Sequence, residues 1–150
     1  MSRYCPDKRG PALYPDCGEC TEKNCEKFFC LVVGSRTFEN YELLVQKLDR
    51  LLANHAPDIV IVSGGARGAD ALAKRYAEEK RYAYCEFPAN WDKHGKTAGP
   101  IRNAEMHKFI SRFPKRGAVA FWDGKSKGTA SNFELAKKYG NRIVTIRYED

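Results

Sequence analysis

The chain has 150 residues, is 43% hydrophobic and 30% charged, and carries 26 basic against 19 acidic side chains for a formal charge of +7. Those proportions suit one globular domain and exclude a disordered, collagen-like or fibrous chain. The longest apolar runs, such as 59–62 and 31–33, fall far short of the ~20 residues of a membrane span, and Met1 to Cys5 form no apolar signal region, so a cytoplasmic protein with reduced thiols and no membrane partner is expected.

Residues 1–27 contain few aliphatic side chains and cannot bury a core of their own. They hold Cys5, Cys17, Cys20 and Cys25, four soft ligands of the kind tetrahedral zinc takes, with the Cys17-x2-Cys20 pair supplying two from one turn. A small structural zinc segment is expected here. The set Cys17, Cys20, Cys25 and Cys30, an iron–sulfur cluster, and free or redox-active thiols stay open. Cys30 and Cys85 lie in apolar runs and read as core thiols.

From residue 28 the texture alternates between apolar runs and helical patterns. Residues 28–34 (FFCLVVG) predict a strand. Residues 41–53 predict a helix with Leu43, Leu44, Leu48, Leu51 and Leu52 on one face, stopped at Pro57. The second strand is 58–63, followed by a helix over 69–80 with Leu72, Ala73, Tyr76 and Ala77 inward. A short strand over 82–87 leads into a long polar loop. Then come a helix over 101–113, a strand over 117–122, a helix over 130–139 ended by Gly140, and a closing strand over 142–147. Strands alternating with helices imply parallel pairing with right-handed crossovers. The fold class is α/β, a Rossmann-like, open, mainly parallel five-stranded sheet over residues 28–150 with helices on both faces.

In such a sheet ligands bind beyond the carboxyl ends of the strands, and those ends are rich in glycine here. The first is Gly34-Ser35-Arg36. The second is Ser63-Gly64-Gly65-Ala66-Arg67-Gly68-Ala69-Asp70. The fourth is Asp123-Gly124-Lys125-Ser126-Lys127-Gly128-Thr129. Glycine lets the backbone approach a ligand closely, and a helix starting at such a turn aims its free N–H groups at an anion. Ser126 and Thr129 add hydroxyl donors, and Arg36, Arg67 and Arg102 add charge-assisted bonds to phosphate. Neither a dinucleotide fingerprint nor a P-loop is present.

The long loop after the third strand holds Asn90, Trp91, Lys96, Arg102 and Asn103. Trp91 can stack on a base or cap the sheet edge, and Asn90 and Asn103 can read base or ribose edges. Charge is concentrated nearby, with seven basic side chains in 93–116 (Lys93, Lys96, Arg102, Lys108, Arg112, Lys115, Arg116) against Glu105 alone. Such a stretch is either an anion-binding surface or a solvated helix face. Signals for catalysis are thin. No nucleophile elbow or zinc-protease motif occurs, and the three histidines are scattered. Asp70, Glu86, Asp123 and Glu134 are the acid/base candidates, although Asp70 reads first as a cap or a partner of Arg67.

The segments VVGSRTF (32–38), IVSGGARGADALA (61–73), PANW (88–91) with GKTAGPIRNAEM (95–106), and DGKSKGT (123–129) resemble, in this order, the YspA-like branch of the SLOG superfamily. The resemblance covers about 29–148. IVSGGARGAD and PIRNAEM are also similar to the core of DprA/Smf. The resemblance implies a Rossmann-like fold that binds a nucleotide or a nucleotide-derived ligand. Its relatives diverge in use: Lonely Guy enzymes cleave a nucleoside monophosphate at its N-glycosidic bond, and DprA binds single-stranded DNA. The glutamate of the Lonely Guy pattern P-G-G-x-G-T-x-x-E has no counterpart, because Glu134 stands five positions after Thr129. Binding or sensing of a nucleotide-type small molecule is therefore expected. A nucleotide hydrolase and a single-stranded nucleic-acid binder are the alternatives.

Overall fold

The computed structural model describes residues 27–148. The expected zinc ligands Cys5, Cys17, Cys20 and Cys25 lie outside the described residues.

The apolar runs form five strands, β1 (Phe28–Gly34), β2 (Ile59–Ser63), β3 (Ala83–Glu86), β4 (Arg116–Trp122) and β5 (Ile143–Arg147). They pair in the order β3-β2-β1-β4-β5, and every pairing is parallel. The register sets Cys30 beside Ile61 and Gly117, and Val33 beside Ala120. β1 is buried along most of its length because both faces of the sheet are covered. Phe29, Leu31 and Val33 point to one face, where they join Val60, Val62, Met106, Phe109, Ile110 and Phe113. Cys30 and Val32 point to the other, with Leu44, Leu48, Leu52, Ile61, Tyr76 and Phe121.

Helices α1 (Tyr41–Leu52) and α2 (Ala69–Lys80) supply the second layer, and α4 (Ala98–Ile110) supplies the first, with α5 (Lys127–Tyr139) adding Phe133. α1 starts where Asn40 accepts the Leu43 N–H at 3.0 Å. Its buried stripe is Leu44, Leu48 and Leu52, narrower than the leucine count suggests, and Leu51 is exposed. α5 ends at Gly140, whose N–H reaches the carbonyls of Ala136 and Lys137 from a left-handed conformation. The aromatic contacts of one layer are tight: Phe29 stacks on Phe113 with ring centroids 3.8 Å apart, and Phe109 meets both edge-on.

Three segments depart from the sequence expectation. The polar loop contains a short helix α3 (Trp91–His94) and a 3-10 turn (Gly95–Thr97). α4 begins at Ala98 rather than Ile101, because Pro100 falls in its first turn, where the missing N–H has no helical partner to lose. α5 likewise begins at Lys127, three residues before the expected start. Among the described residues no helix is long and apolar enough to cross a membrane.

Gly34 closes β1 where α2 passes closest. A Cβ built there would lie 2.5 Å from the Ala69 Cβ and 2.6 Å from the Phe121 carbonyl oxygen. Gly34→Ala is expected to destabilise the domain by about 1–3 kcal/mol, since backbone on one side and a buried alanine on the other leave nothing to yield. Urea denaturation of the variant measures this, and an unchanged midpoint would show that the strand and helix separate freely.

Candidate functional site

Strand order reverses between β1 and β4, because α1 and α2 return over one face and α4 and α5 over the other. The crevice beyond the carboxyl ends of these two strands is where an open parallel sheet holds a ligand. A cavity of about 460 Å³ opens there, within the range of small-molecule sites. Its walls come from all four of the loops expected to carry chemistry. Gly34, Ser35 and Arg36 line it from β1, Asp70 from the start of α2, Trp91 and Lys96 from the long loop, and Arg102 and Asn103 from α4. Asp123, Ser126, Gly128 and Thr129 line it from β4 and α5.

The other candidates lie elsewhere. Gly64, Gly65 and Arg67 line an adjoining hollow of about 390 Å³ that shares Arg36, Trp91 and Arg102 with the first. Ser63 is buried beneath the rim, its hydroxyl 2.6 Å from that of Tyr84, which donates to Glu86 at 2.9 Å. Gly68, at φ +82°, packs a helix start against the backbone of Ser35 and Arg36. Asn90 caps α3 by accepting the Lys93 N–H at 3.1 Å. Gly124, with φ +84°, lies against the guanidinium of Arg147. Glu134 is exposed on α5, outside the cavity wall. Thr37, Gly99, Pro100 and Asn132 line the cavity although the sequence did not single them out. For Asn132 the available signal was its place three residues after Thr129, on the same helix face.

The start of α5 combines side-chain caps with open backbone donors. Asp123 accepts the N–H groups of Lys125 and Ser126 at 2.8 and 2.9 Å, and the Ser126 hydroxyl accepts that of Thr129 at 3.3 Å. The Ala130 N–H reaches the Ser126 carbonyl at 3.1 Å. Among the described residues the N–H groups of Lys127 and Gly128 have no partner, so the first turn of α5 keeps open donors at its positive end. The amides on Asp123 also hold its carboxyl below the usual carboxylate range, so it stays ionised as a cap.

Asn132 fixes this helix start from behind. Its amide donates to the Gly128 carbonyl at 3.2 Å, and its oxygen lies 2.9 Å from His107 Nε2. His107 Nδ1 faces the Asn141 amide at 3.2 Å, and Asn141 Oδ1 accepts from Arg116 Nε at 2.6 Å. The directions agree if His107 is neutral with its proton on Nε2. Burial, which disfavours the imidazolium, pushes its pKa down and holds that form.

Arg102 is not at a helix start, as the sequence suggested, but inside α4, only 8% exposed. Its Nη1 donates to the Gly64 carbonyl at 2.8 Å and, at 3.5 Å, marginally to that of Phe87, and its Nε donates to Asn103 Oδ1 at 3.0 Å. It ties the β2 turn to the end of β3 and carries a positive charge into the cavity wall. Asp70, 7% exposed, accepts the Ala66 N–H at 3.3 Å and so caps the glycine turn. Burial pushes its carboxyl up to about 6, against the opposing pull of Arg102, the amides of Ala66 and Gly64, and Arg36. At the mouth Trp91 is 49% exposed, with the Arg36 guanidinium 5.6 Å from its ring centroid.

The basic stretch 93–116 does not make one track. Arg102 is committed within the wall, and Arg116 is bound to Asn141, Phe113 and Gly140. α4 starts at the cavity and runs away from it over 13 residues, about 20 Å at helical rise. Lys93 and Lys96 thus sit near the cavity, whereas Lys115 lies beside the start of β4 at the opposite sheet edge. Among the described residues no group of three or more His, Cys, Asp or Glu side chains could hold a metal. Cys30 and Cys85 are buried in the core, and burial pushes the Cys30 thiol up to about 12.

Fold and cavity together define a Rossmann-like domain with its candidate site at the topological switch point. The model of the YspA, cpYpsA-related SLOG family matches residues 30–94. The Gene 61 protein of Mycobacterium phage D29 is 34% identical over 121 residues, covering 77% of this chain and 94% of that protein. The chain belongs to this SLOG family. Among solved structures it is similar to DNA processing protein A from Helicobacter pylori, described by its single-stranded DNA binding mode, with a TM-score of 0.53 and 19% identity over 81% of this chain. It is similar as well to DprA from Streptococcus pneumoniae, with a TM-score of 0.58 and 20% identity over 83% of this chain. The chain spans 66% and 52% of those two proteins. At these identities the likeness establishes the fold.

Proposed function

We propose that the domain binds a nucleotide or nucleotide-derived small molecule in the cavity between the ends of β1 and β4. The observation that carries this reading is the convergence of one concavity, one helix start with open N–H donors, and the side chains of Arg36, Lys96 and Thr129. A phosphate at α5 satisfies the Lys127 and Gly128 amides. A planar base finds the exposed ring of Trp91 at the mouth. Family membership and the fold shared with DNA processing protein A support a nucleotide-type ligand. A small molecule is favoured over a nucleic-acid strand because the exposed basic side chains are divided between two ends of α4.

A thermal-melt panel at fixed moderate salt tests this with AMP, ADP-ribose, NAD, a cyclic nucleotide and a short oligo-dT. A ligand that binds only the folded chain at a hundredfold excess over Kd adds about 2.7 kcal/mol. One mononucleotide-type ligand is expected to raise the midpoint. Lys96→Ala and Arg36→Ala are each expected to weaken it at least tenfold, the loss of one charge-assisted bond. A shift by oligo-dT alone, abolished by salt, would replace the pocket with a strand-binding surface.

A further inference from the structure

Among the described residues two carboxylates line the cavity, and the fold uses them differently. Asp123 is occupied by two backbone amides at the start of α5. Asp70 is more than nine-tenths buried, yet its carboxylate meets backbone amides alone, that of Ala66 at 3.3 Å and that of Gly64. An ionised carboxylate can accept about four hydrogen bonds. The neighbouring guanidinium of Arg102 does not close on it, since its Nε and Nη1 donate to Asn103 and to Gly64. A buried carboxylate with spare acceptor capacity is costly unless something else fills it, and its open side is the cavity.

We propose that Asp70 accepts a sugar hydroxyl of a nucleoside phosphate whose phosphate occupies the start of α5. This rests on the nucleotide reading above and specifies the part of the ligand that is read. A neutral donor fits better than an ammonium group, because Arg102 and Arg36 already place two positive charges beside Asp70. The sugar fits better than the base. It is bonded directly to the phosphate, so a phosphate on Gly128 and Thr129 leaves the sugar deep in the same cavity, where Asp70 is. The base then lies toward Trp91, at the exposed mouth. Asp70 is therefore assigned to recognition, and the hydroxyl pattern of the sugar sets specificity.

Calorimetric titration of the full chain tests the proposal with AMP, 2′-deoxy-AMP, 3′-deoxy-AMP and inosine monophosphate. Loss of one of the two hydroxyls is expected to raise Kd at least tenfold, while inosine monophosphate binds like AMP. In Asp70→Ala the deoxy penalty vanishes, and in Asp70→Asn, which keeps a weaker neutral acceptor, it shrinks. Melts of both variants confirm that they are folded. Equal binding of AMP and both deoxy analogues overturns the proposal and leaves the nucleotide site standing. A penalty that survives in Asp70→Ala, or discrimination against inosine monophosphate in place of the deoxy analogues, overturns it as well. If no nucleoside phosphate binds, the reading of the cavity falls together with it.

Discussion

Arg102→Ala is expected to destabilise the domain by roughly 3–5 kcal/mol, the cost of removing one member of a buried charged cluster. The guanidinium joins three segments: the Gly64 carbonyl at the end of β2, the Phe87 carbonyl after β3, and Asn103 on α4. Truncation leaves buried acceptors without donors and takes from Asp70 the more strongly felt of its two neighbouring positive charges. Arg102→Lys restores a charge without the fork that spans two acceptors, so only part of the loss should return. Urea denaturation of both variants reads the difference. A loss under about 1 kcal/mol for alanine would mean that water replaces the guanidinium in the wall.

Asp70→Asn is expected to act in the opposite direction and to stabilise the apo domain by about 2–3 kcal/mol at pH 7. The carboxyl is raised to about 6 in the folded chain, against about 3.9 in an unfolded one. Below about pH 4 both states hold the proton, and the buried charge costs nothing. Between about pH 4 and 6 the unfolded chain ionises while the folded chain does not, so this residue's contribution to stability falls as pH rises. Above about pH 6 the loss is complete, at about 1.4 kcal/mol for every tenfold difference in proton affinity between the two states. The amide does not titrate, so the advantage of the variant should grow from near zero at about pH 4 to its full size at about pH 7, roughly 10 °C in midpoint. The other charged groups near the site, Arg102, Arg36 and Asp123 among them, are common to both proteins and cancel in the difference. A constant difference across the range from about pH 4 to 8 would place the Asp70 carboxyl in its ordinary range. The natural residue is thus expected to lower stability at neutral pH.

The sheet was legible in the sequence because its strands are near-continuous apolar runs, and such runs belong to parallel strands covered on both faces. Parallel pairing sends every strand's carboxyl end to one edge. Loops widely spaced in sequence, at 34–36, 70, 91–103 and 123–129, could therefore be placed on one cavity before any contact was known. What stayed hidden depends on helix phase. Glu134 and Asn132 are two residues apart on α5, yet helical rotation turns Asn132 to the cavity and Glu134 to solvent. Composition counted Arg102 and Arg116 with the lysines around them, but both guanidinium groups are held by carbonyl and amide oxygens. The helix at Trp91 was obscured by Gly95 and Pro100, read as loop residues although one ends α3 and the other sits in the first turn of α4.

The cavity's walls are drawn from Val33 to Asn132, nearly the full span of the sheet. A half-assembled chain therefore has no partial version of the pocket, because β1 and β4 must be paired before its two sides face each other. Contacts this distant in sequence form late and slowly. Occupancy of the proposed site would accordingly report on the integrity of the entire domain. A ligand in the proposed site would be a latch set after folding is finished, and it is expected to protect sites across the whole sheet, not only the loops it touches, from proteolytic opening.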